Sequence, residues 1–152
     1  MTGIPGERVG PLMTELVPMV GTLGLEFVEV SAMRAVVLLR DQPGYRNHVG
    51  GPHAAAMFAA AETATGAIAL AAFGDLLGEA APVPVTTSYE FLAVATGDLT
   101  ATARIESDLD EARRVYVAGT RPVFDIVAEV CDAAGTVTGR FRARWTLKRL
   151  KS

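Results

Sequence analysis

Residues 53–73 read HAAAMFAAAETATGAIALAAF. Alanine is the strongest helix-forming residue, so this stretch predicts a helix about 30 Å long. Its larger apolar side chains are spread around the helix axis, which is typical of a helix buried on all sides. Glu62 is the one charged side chain in the stretch, with His counted as neutral, and burying a carboxylate is costly unless it is paired or used in chemistry. Glu62 is therefore the first candidate functional residue.

A membrane span is the alternative interpretation of this stretch, because a span needs about 20 apolar residues. Alanine is only weakly apolar, and Thr63, Thr65 and Gly66 interrupt the run. A glutamate in the middle of a span is unfavourable, and no basic cluster flanks the stretch. We therefore expect a core helix and no membrane partner.

The composition predicts one globular domain over residues 1–152. Half of the residues are hydrophobic and the net charge is −3, so a nucleic-acid partner, which requires a basic surface, is not expected. Cys131 is the only cysteine, which excludes a disulfide within the chain and fits a reducing compartment. The first twelve residues lack the apolar core of a signal peptide, so we expect a cytoplasmic protein. Two His and one Cys also argue against a metal site.

The remaining pattern predicts an α+β fold. Residues 1–10 are expected to be loose, residues 11–20 to form a short helix, and residues 41–52 to form a loop. Strands are predicted from alternating apolar and polar residues at 25–31, 34–40, 85–95, 99–106, 114–118 continuing into 123–131, and 140–148, with a turn at 108–111. The connections are too short for crossover helices, so the sheet should be largely antiparallel and curl around the one long helix. Its exposed edge would invite a second copy of the chain.

The stretch RNHVGGPHAAAMFAAAETATG, residues 46–66, resembles the signature of the hotdog-fold thioesterases. In the branch like the phenylacetic-acid-degradation thioesterases, an Asn and a glycine-containing loop precede His-Gly-Gly, an apolar helix, and an Asp or Glu nine residues after the His. Asn47, His53 and Glu62 lie at matching spacings. Residues 89–98, YEFLAVATGD, are similar to the family's strand with an aromatic-Leu pair and a glycine turn.

The resemblance implies a homodimer, possibly paired into a dimer of dimers, with active sites at the dimer interface. It also implies hydrolysis of acyl-CoA or acyl-carrier-protein thioesters, without a cofactor. By position, Glu62 would be the general base or nucleophile, Asn47 would hold the water or the thioester, the N–H of Ala54 would stabilise the oxyanion, and His53 would shape the turn. Substrate-binding positions are assigned to His48, Gly51, Phe58 and Thr87.

Helix geometry bears on this assignment. Nine residues of helix place Glu62 roughly 13 Å from His53, too far for both ends to act on one carbonyl within a chain. We therefore expect the catalytic residues to be divided between two subunits.

Several alternatives remain open at the level of sequence. Glu62 could pair with an arginine, His53 could serve only as a hydrogen-bonding residue at the helix start, and Asn47 could be a turn residue. The basic residues of the last strand could form a solvated face or dock the phosphates of CoA or an acidic carrier protein. They are Arg140, Arg142, Arg144, Lys148, Arg149 and Lys151.

Two other functions are compatible with the pattern. The family's Gly-Gly is replaced here by Ala54-Ala55, and alanine crowds the approach to the backbone, so a non-catalytic protein that binds acyl-CoA or lipid is one alternative. A hydroxyacyl-thioester dehydratase is the other, because these enzymes share the fold and use a loop His with a helix Glu. The interval from His48 to Glu62 fits, but the His-Phe-Pro-Gly segment of that family is missing.

Overall fold

The computed structural model describes residues 3–151. The helices are α1 (Gly6–Leu16), α2 (Pro18–Leu23), α3 (Ala54–Phe73) and α4 (Leu109–Val117). The strands are β1 (Glu26–Val30), β2 (Arg34–Leu39), β3 (Ala80–Phe91), β4 (Leu99–Ile105), β5 (Val123–Cys131) and β6 (Val137–Arg149). Single turns of 3-10 helix lie at Pro43–Tyr45 and Gly74–Leu76.

The strands form one antiparallel sheet in the order β1-β2-β4-β5-β6-β3. Helix α3 contacts all six strands, so the sheet wraps around it. Alternate residues of the central strands face the helix and are buried, among them Ala101, Ala103, Ile126 and Ala128. The alanines at three of these positions let the long helix approach the sheet closely. The predicted fold class, a six-stranded antiparallel sheet around one long helix, is confirmed.

The long helix lies where the sequence predicts it, with His53 as its N-cap residue and Phe73 as its last residue. By length and composition residues 54–76 could cross a membrane, but 83% of the most apolar window is buried inside the protein. The apolar surface of α3 is therefore covered by the sheet and the N-terminal helices, as in the core helix of a globular domain.

The N-terminal region differs from its prediction. Residues 6–10, expected to be loose, form the first turns of α1, and Val9 is completely buried. A helix was predicted over residues 11–20, but Pro18 divides it into α1 and α2 because proline disfavours helical geometry in the residue before it. The part of the prediction that concerns Met1 and Thr2 lies outside the described residues.

Close packing explains why glycines occur in this helix. A Cβ atom at Gly6 would lie 1.8 Å from the carbonyl oxygen of Val30, and one at Gly10 would lie 3.0 Å from the ring of Phe27. Both neighbours belong to β1, so the glycines let α1 lie directly on that strand. The same residues, read as sequence alone, are typical of a loop.

Two further boundaries need correction. Residues 108–111 were predicted as a turn and 114–118 as strand, but they belong to α4 and its N-cap, Asp108. One side of α4 is buried, at Leu109, Ala112 and Tyr116, a helical spacing that the β-branched Val115 and Val117 obscure in the sequence. Strand β3 begins at Ala80 rather than residue 85, and it accommodates Pro82 and Pro84 because it is an edge strand.

Candidate functional site

The Glu62 carboxylate is a polar group on a largely apolar helix. The residue is half-buried in the middle of α3. Within residues 3–151, no ion pair or hydrogen bond to its carboxylate is present, so the alternative of pairing with an arginine finds no support. Burial raises the pKa of Glu62 above its ordinary value, since desolvation disfavours the charged form. A partly accessible carboxylate with a raised pKa is suited to accept a proton.

A cavity of about 350 Å³ lies beside Glu62. Its walls come from α1, α2, α3, the start of β3, and β6, and among the described residues Glu62 is the only charged one that contributes to them. Most of the other contributors are apolar, including Met13, Val20, Leu70 and Trp145. The volume falls in the range of small-ligand sites, roughly 300–1,000 Å³. The carboxylate therefore faces an apolar space that could hold an acyl group.

The start of α3 provides hydrogen-bond donors. His53 Nδ1 accepts a hydrogen bond from the N–H of Ala55 at 3.0 Å, which makes the histidine the helix cap. The N–H of Ala54 donates to no residue that the structure describes, and Ala54 is exposed. A free N–H at the positive end of the helix dipole is suited to stabilise an oxyanion. His53 therefore caps α3, and Ala54 carries the free donor at its start.

Asn47 closes the loop that leads into α3. Its Oδ1 accepts hydrogen bonds from the N–H groups of Val49 (3.0 Å) and Gly51 (3.3 Å), and its Nδ2 donates to the carbonyl of Pro52 (3.2 Å). Both lone pairs of the amide oxygen are occupied, which leaves one N–H for any ligand. The geometry favours the turn interpretation of Asn47.

The other loop candidates occupy different environments. Gly51 is buried, and a Cβ atom there would lie 2.7 Å from the carbonyl oxygen of Ala95, so glycine is needed for the loop to pack. His48 is exposed in the turn after Asn47. Neither residue lines the cavity beside Glu62.

Phe58 and Thr87 lie near the open edge of the sheet. The ring of Phe58 meets that of Phe141 edge-on, with centroids 5.2 Å apart, and Thr87 is exposed on β3. The ring of Tyr89 lies between those of Phe141 and Phe91, with centroid distances of 6.2 Å and 4.5 Å. Its hydroxyl is buried without a hydrogen-bond partner among the described residues, and burial raises the pKa of Tyr89 to about 12. This aromatic cluster is separate from the Glu62 cavity.

Three arginines of the last strand are paired with acids on the outer face of the sheet. Arg144 makes two hydrogen bonds of 2.9 Å to Asp125, and Arg142 makes one of 2.7 Å to Glu106. Arg140 approaches Glu129 at 3.6 Å. All of these side chains are at least partly exposed, so the pairs contribute little to stability. The arrangement favours a solvated face over a docking surface for phosphates.

Sequence reasoning did not find the cavity walls contributed by the N-terminal helices. The cavity is lined on this side by Met13, Leu16, Val17 and Val20. The sequence predicts these residues only as part of a short helix and its end, and their spacing indicates no function. The signal available in the sequence was the cluster of apolar residues around Pro18. In the structure, the side chain of Leu16 is 55% exposed and that of Val17 is 43% exposed.

Comparisons with known proteins agree with this architecture. The chain matches the family described as "Domain of unknown function (DUF4442)" over residues 7–147. A comparison with curated proteins finds no match.

Solved structures extend the agreement to the whole fold. PA5026 from Pseudomonas aeruginosa, described as a protein of unknown function and probable thioesterase, is 22% identical with a TM-score of 0.81, covering 98% of this chain and 99% of that one. AziG of S. sahachiroi is 29% identical with a TM-score of 0.68, covering 89% and 99%. The PaaI protein of the E. coli phenylacetic acid degradation operon is 19% identical with a TM-score of 0.70, covering 97% and 94%. Because the family match spans nearly the whole sequence and the fold is shared with these structures, the chain belongs to the DUF4442 family and has the hotdog fold.

Proposed function

We propose that the protein hydrolyses acyl thioesters of CoA or of an acyl carrier protein, with Glu62 as the general base. The observation that carries this proposal is the Glu62 carboxylate, half-buried and unpaired among the described residues, at an apolar cavity. The fold shared with PA5026, which is described as a probable thioesterase, supports the same reaction class.

The reaction follows from the chemistry of the carboxylate. Glu62 takes a proton from a water molecule, and the resulting hydroxide attacks the thioester carbonyl carbon. The negative charge that develops on the carbonyl oxygen requires a hydrogen-bond donor, and the N–H of Ala54 is the free donor at the helix start. Collapse of the tetrahedral intermediate breaks the C–S bond, and the thiolate leaves with the proton held by Glu62. The products are a carboxylic acid and a free thiol.

A second subunit is needed to bring these groups together. Glu62 and Ala54 are eight residues apart on one helix, which corresponds to about 12 Å along its axis. Strand β3 lies at the edge of the sheet and pairs with β6 on one side only, so its other side is open to a strand from a second copy. In a homodimer joined along β3, the helix start of one subunit would serve the Glu62 of the other. A dimer of dimers is compatible with the same arrangement.

A non-catalytic acyl-CoA-binding protein is the second candidate. It is favoured by Ala54 and Ala55, whose methyl groups are exposed at the helix start where the family pattern has glycines. Such a protein would keep the cavity without turnover. A dehydratase finds less support, because His48 is exposed in its turn and does not line the Glu62 cavity.

Release of free thiol from a panel of acyl-CoA and acyl-carrier-protein thioesters tests the proposal. The wild-type protein should release thiol, and Glu62→Gln should lower kcat by at least about a hundredfold, the usual contribution of a general base. Glu79→Gln, which changes an exposed glutamate outside the cavity, is the matched control and should retain full activity. Binding of acyl-CoA without thiol release would instead identify the non-catalytic protein.

A further inference from the structure

We infer that the cavity beneath the N-terminal helices is an acyl-chain pocket that selects unbranched aliphatic acyl groups of medium length. The inference rests on the proposed function and names the substrate class of the same site. It is carried by the direction of the cavity, the character of its walls and the length of its path along α3.

The cavity has a polar end and an apolar end. Glu62 and Thr63 contribute its polar side chains, and both lie at the same level of α3. Gly66 and Leu70 line the cavity one and two turns further along the same side of the helix. A thioester carbonyl held at Glu62 would therefore direct its acyl chain along α3 toward Leu70.

Helix geometry sets the length of this path. From Glu62 to Leu70 the helix advances about 12 Å. An extended carbon chain advances about 1.2 Å per bond, as the geometry of an extended backbone shows, so the path holds roughly eight to twelve carbons. Leu77 and Pro82 also line the cavity, beyond the end of the helix.

The width of the cavity favours an unbranched chain. A Cβ atom at Gly66 would lie 3.3 Å from the ring of Trp145 and 3.5 Å from the terminal methyl group of Met13. Glycine therefore lets Trp145 and Met13 pack directly against the helix, so the cavity is narrow at this level, and a larger side chain at Gly66 would push these two side chains into it. Apart from Glu62 and Thr63, the described residues of the walls offer no polar side chain to a hydroxylated or charged acyl group except the indole of Trp145. The Trp145 N–H already donates to Thr65 Oγ1 at 3.2 Å.

Trp145 also provides a means of measuring binding without turnover, because it is the only tryptophan in the chain and it lines the cavity. Glu62→Gln removes the base but preserves the shape of the site. Titrating this variant with saturated acyl-CoAs from acetyl to palmitoyl, and with phenylacetyl-CoA, reports the affinity for each acyl group through the fluorescence of Trp145. Affinity should rise up to roughly fourfold per methylene, the equivalent of about 0.8 kcal/mol for each buried CH₂, and level off near ten carbons.

Variants of the wall test the location of the pocket in the same Glu62→Gln background. Gly66→Val should weaken decanoyl-CoA binding at least tenfold and leave acetyl-CoA binding unchanged. Leu77→Phe, at a less buried position that tolerates a larger side chain, should shorten the preferred chain. Val117→Phe places the same ring on an exposed position of α4, outside the cavity, and should change neither value.

The outcomes separate this inference from the proposed function. Equal affinity for all chain lengths, or tighter binding of phenylacetyl-CoA than of any straight-chain thioester, would overturn the pocket assignment even if the wild-type protein releases thiol. Conversely, a chain-length dependence in the Glu62→Gln variant, abolished by Gly66→Val, would support the pocket even if the wild-type protein releases none.

Discussion

Glu62 should reduce the stability of the folded protein at neutral pH. Its pKa is raised by burial, so the folded state binds this proton more tightly than the unfolded state does. The stabilisation that protonated Glu62 provides is complete below its ordinary pKa of 4.5 and is lost as the pH rises through the raised value. Glu62→Gln should therefore unfold at a higher temperature than the wild-type protein at pH 7, and the difference should shrink as the pH falls toward 4.5.

Thermal unfolding of both proteins across this pH range measures the effect, with Glu79→Gln as the control for loss of a negative charge at an exposed site. A Gln variant that melts below the wild-type protein at pH 7 would mean that Glu62 has a stabilising partner and a structural role. The same substitution should lower activity, because only the deprotonated carboxylate can act as base. Stability and activity should thus respond to this one side chain in opposite directions.

The Glu62 carboxylate and the N–H groups at the start of α3 could be proposed from the sequence because their roles depend on local geometry, whereas Asn47 and His53 were assigned from the resemblance to the hotdog-fold thioesterases. A buried carboxylate on an apolar helix and the N–H groups at that helix's start both follow from spacing along the chain. The opposite walls of the cavity could not be predicted, since Met13 and Val20 come close to Glu62 only after α1 has packed on β1 and α3, with α2 against α1. The loop role of Asn47 also needed the structure, because its side-chain hydrogen bonds distinguish a turn residue from a ligand.

At the scale of elements, the cap of α4 makes a measurable contribution to stability. Asp108 Oδ1 accepts hydrogen bonds from the N–H groups of Asp110 (2.9 Å) and Glu111 (3.0 Å). Asp108→Ala removes both bonds and should lower the free energy of unfolding by about 1 kcal/mol. Urea-induced unfolding measures this change.

Asp108→Asn is the matched control, because asparagine caps helices about as well as aspartate and should retain most of the stability. Thiol release should be unaffected by either change, since none of the described residues that line the Glu62 cavity comes from α4. Equal stability of the Ala and Asn variants and the wild-type protein would show that the cap does not hold this helix.

Helix α4 illustrates which elements a sequence reveals. Helix α3 and the central strands have long, regular patterns, and their positions were predicted to within a few residues. Helix α4 has nine residues, two of them β-branched valines near its end, and its capping residues also read as a turn. Arg113 reinforces it through tertiary contacts, with hydrogen bonds to Asp75 and to the carbonyl of Ala72, which no local pattern contains.

At the scale of the whole molecule, the proposed reaction depends on two subunits sharing each site, and this can be tested with two inactive variants. Glu62→Gln removes the base. Ala54→Pro removes the candidate oxyanion donor with little cost to α3, because proline is favoured at the first position of a helix. The preceding residue, His53, already has the extended conformation that a following proline requires, with φ −65° and ψ 145°. Ala54→Gly keeps the N–H and opens the approach to the backbone, so it should retain or increase activity.

Each variant alone should be inactive in both sites of its homodimer. In a mixed dimer, the intact Glu62 of one subunit meets the intact Ala54 N–H of the other at one site, while the second site carries both substitutions. Unfolding and refolding the two variants together in equal amounts should therefore restore about one quarter of the wild-type thiol release, as two-fold symmetry requires. A mixture that refolds into dimers and stays inactive would place both groups in a single chain's site and contradict the shared arrangement. A wild-type protein that remains a 16.0 kDa monomer while releasing thiol would contradict it as well, because α3 alone holds Ala54 and Glu62 about 12 Å apart.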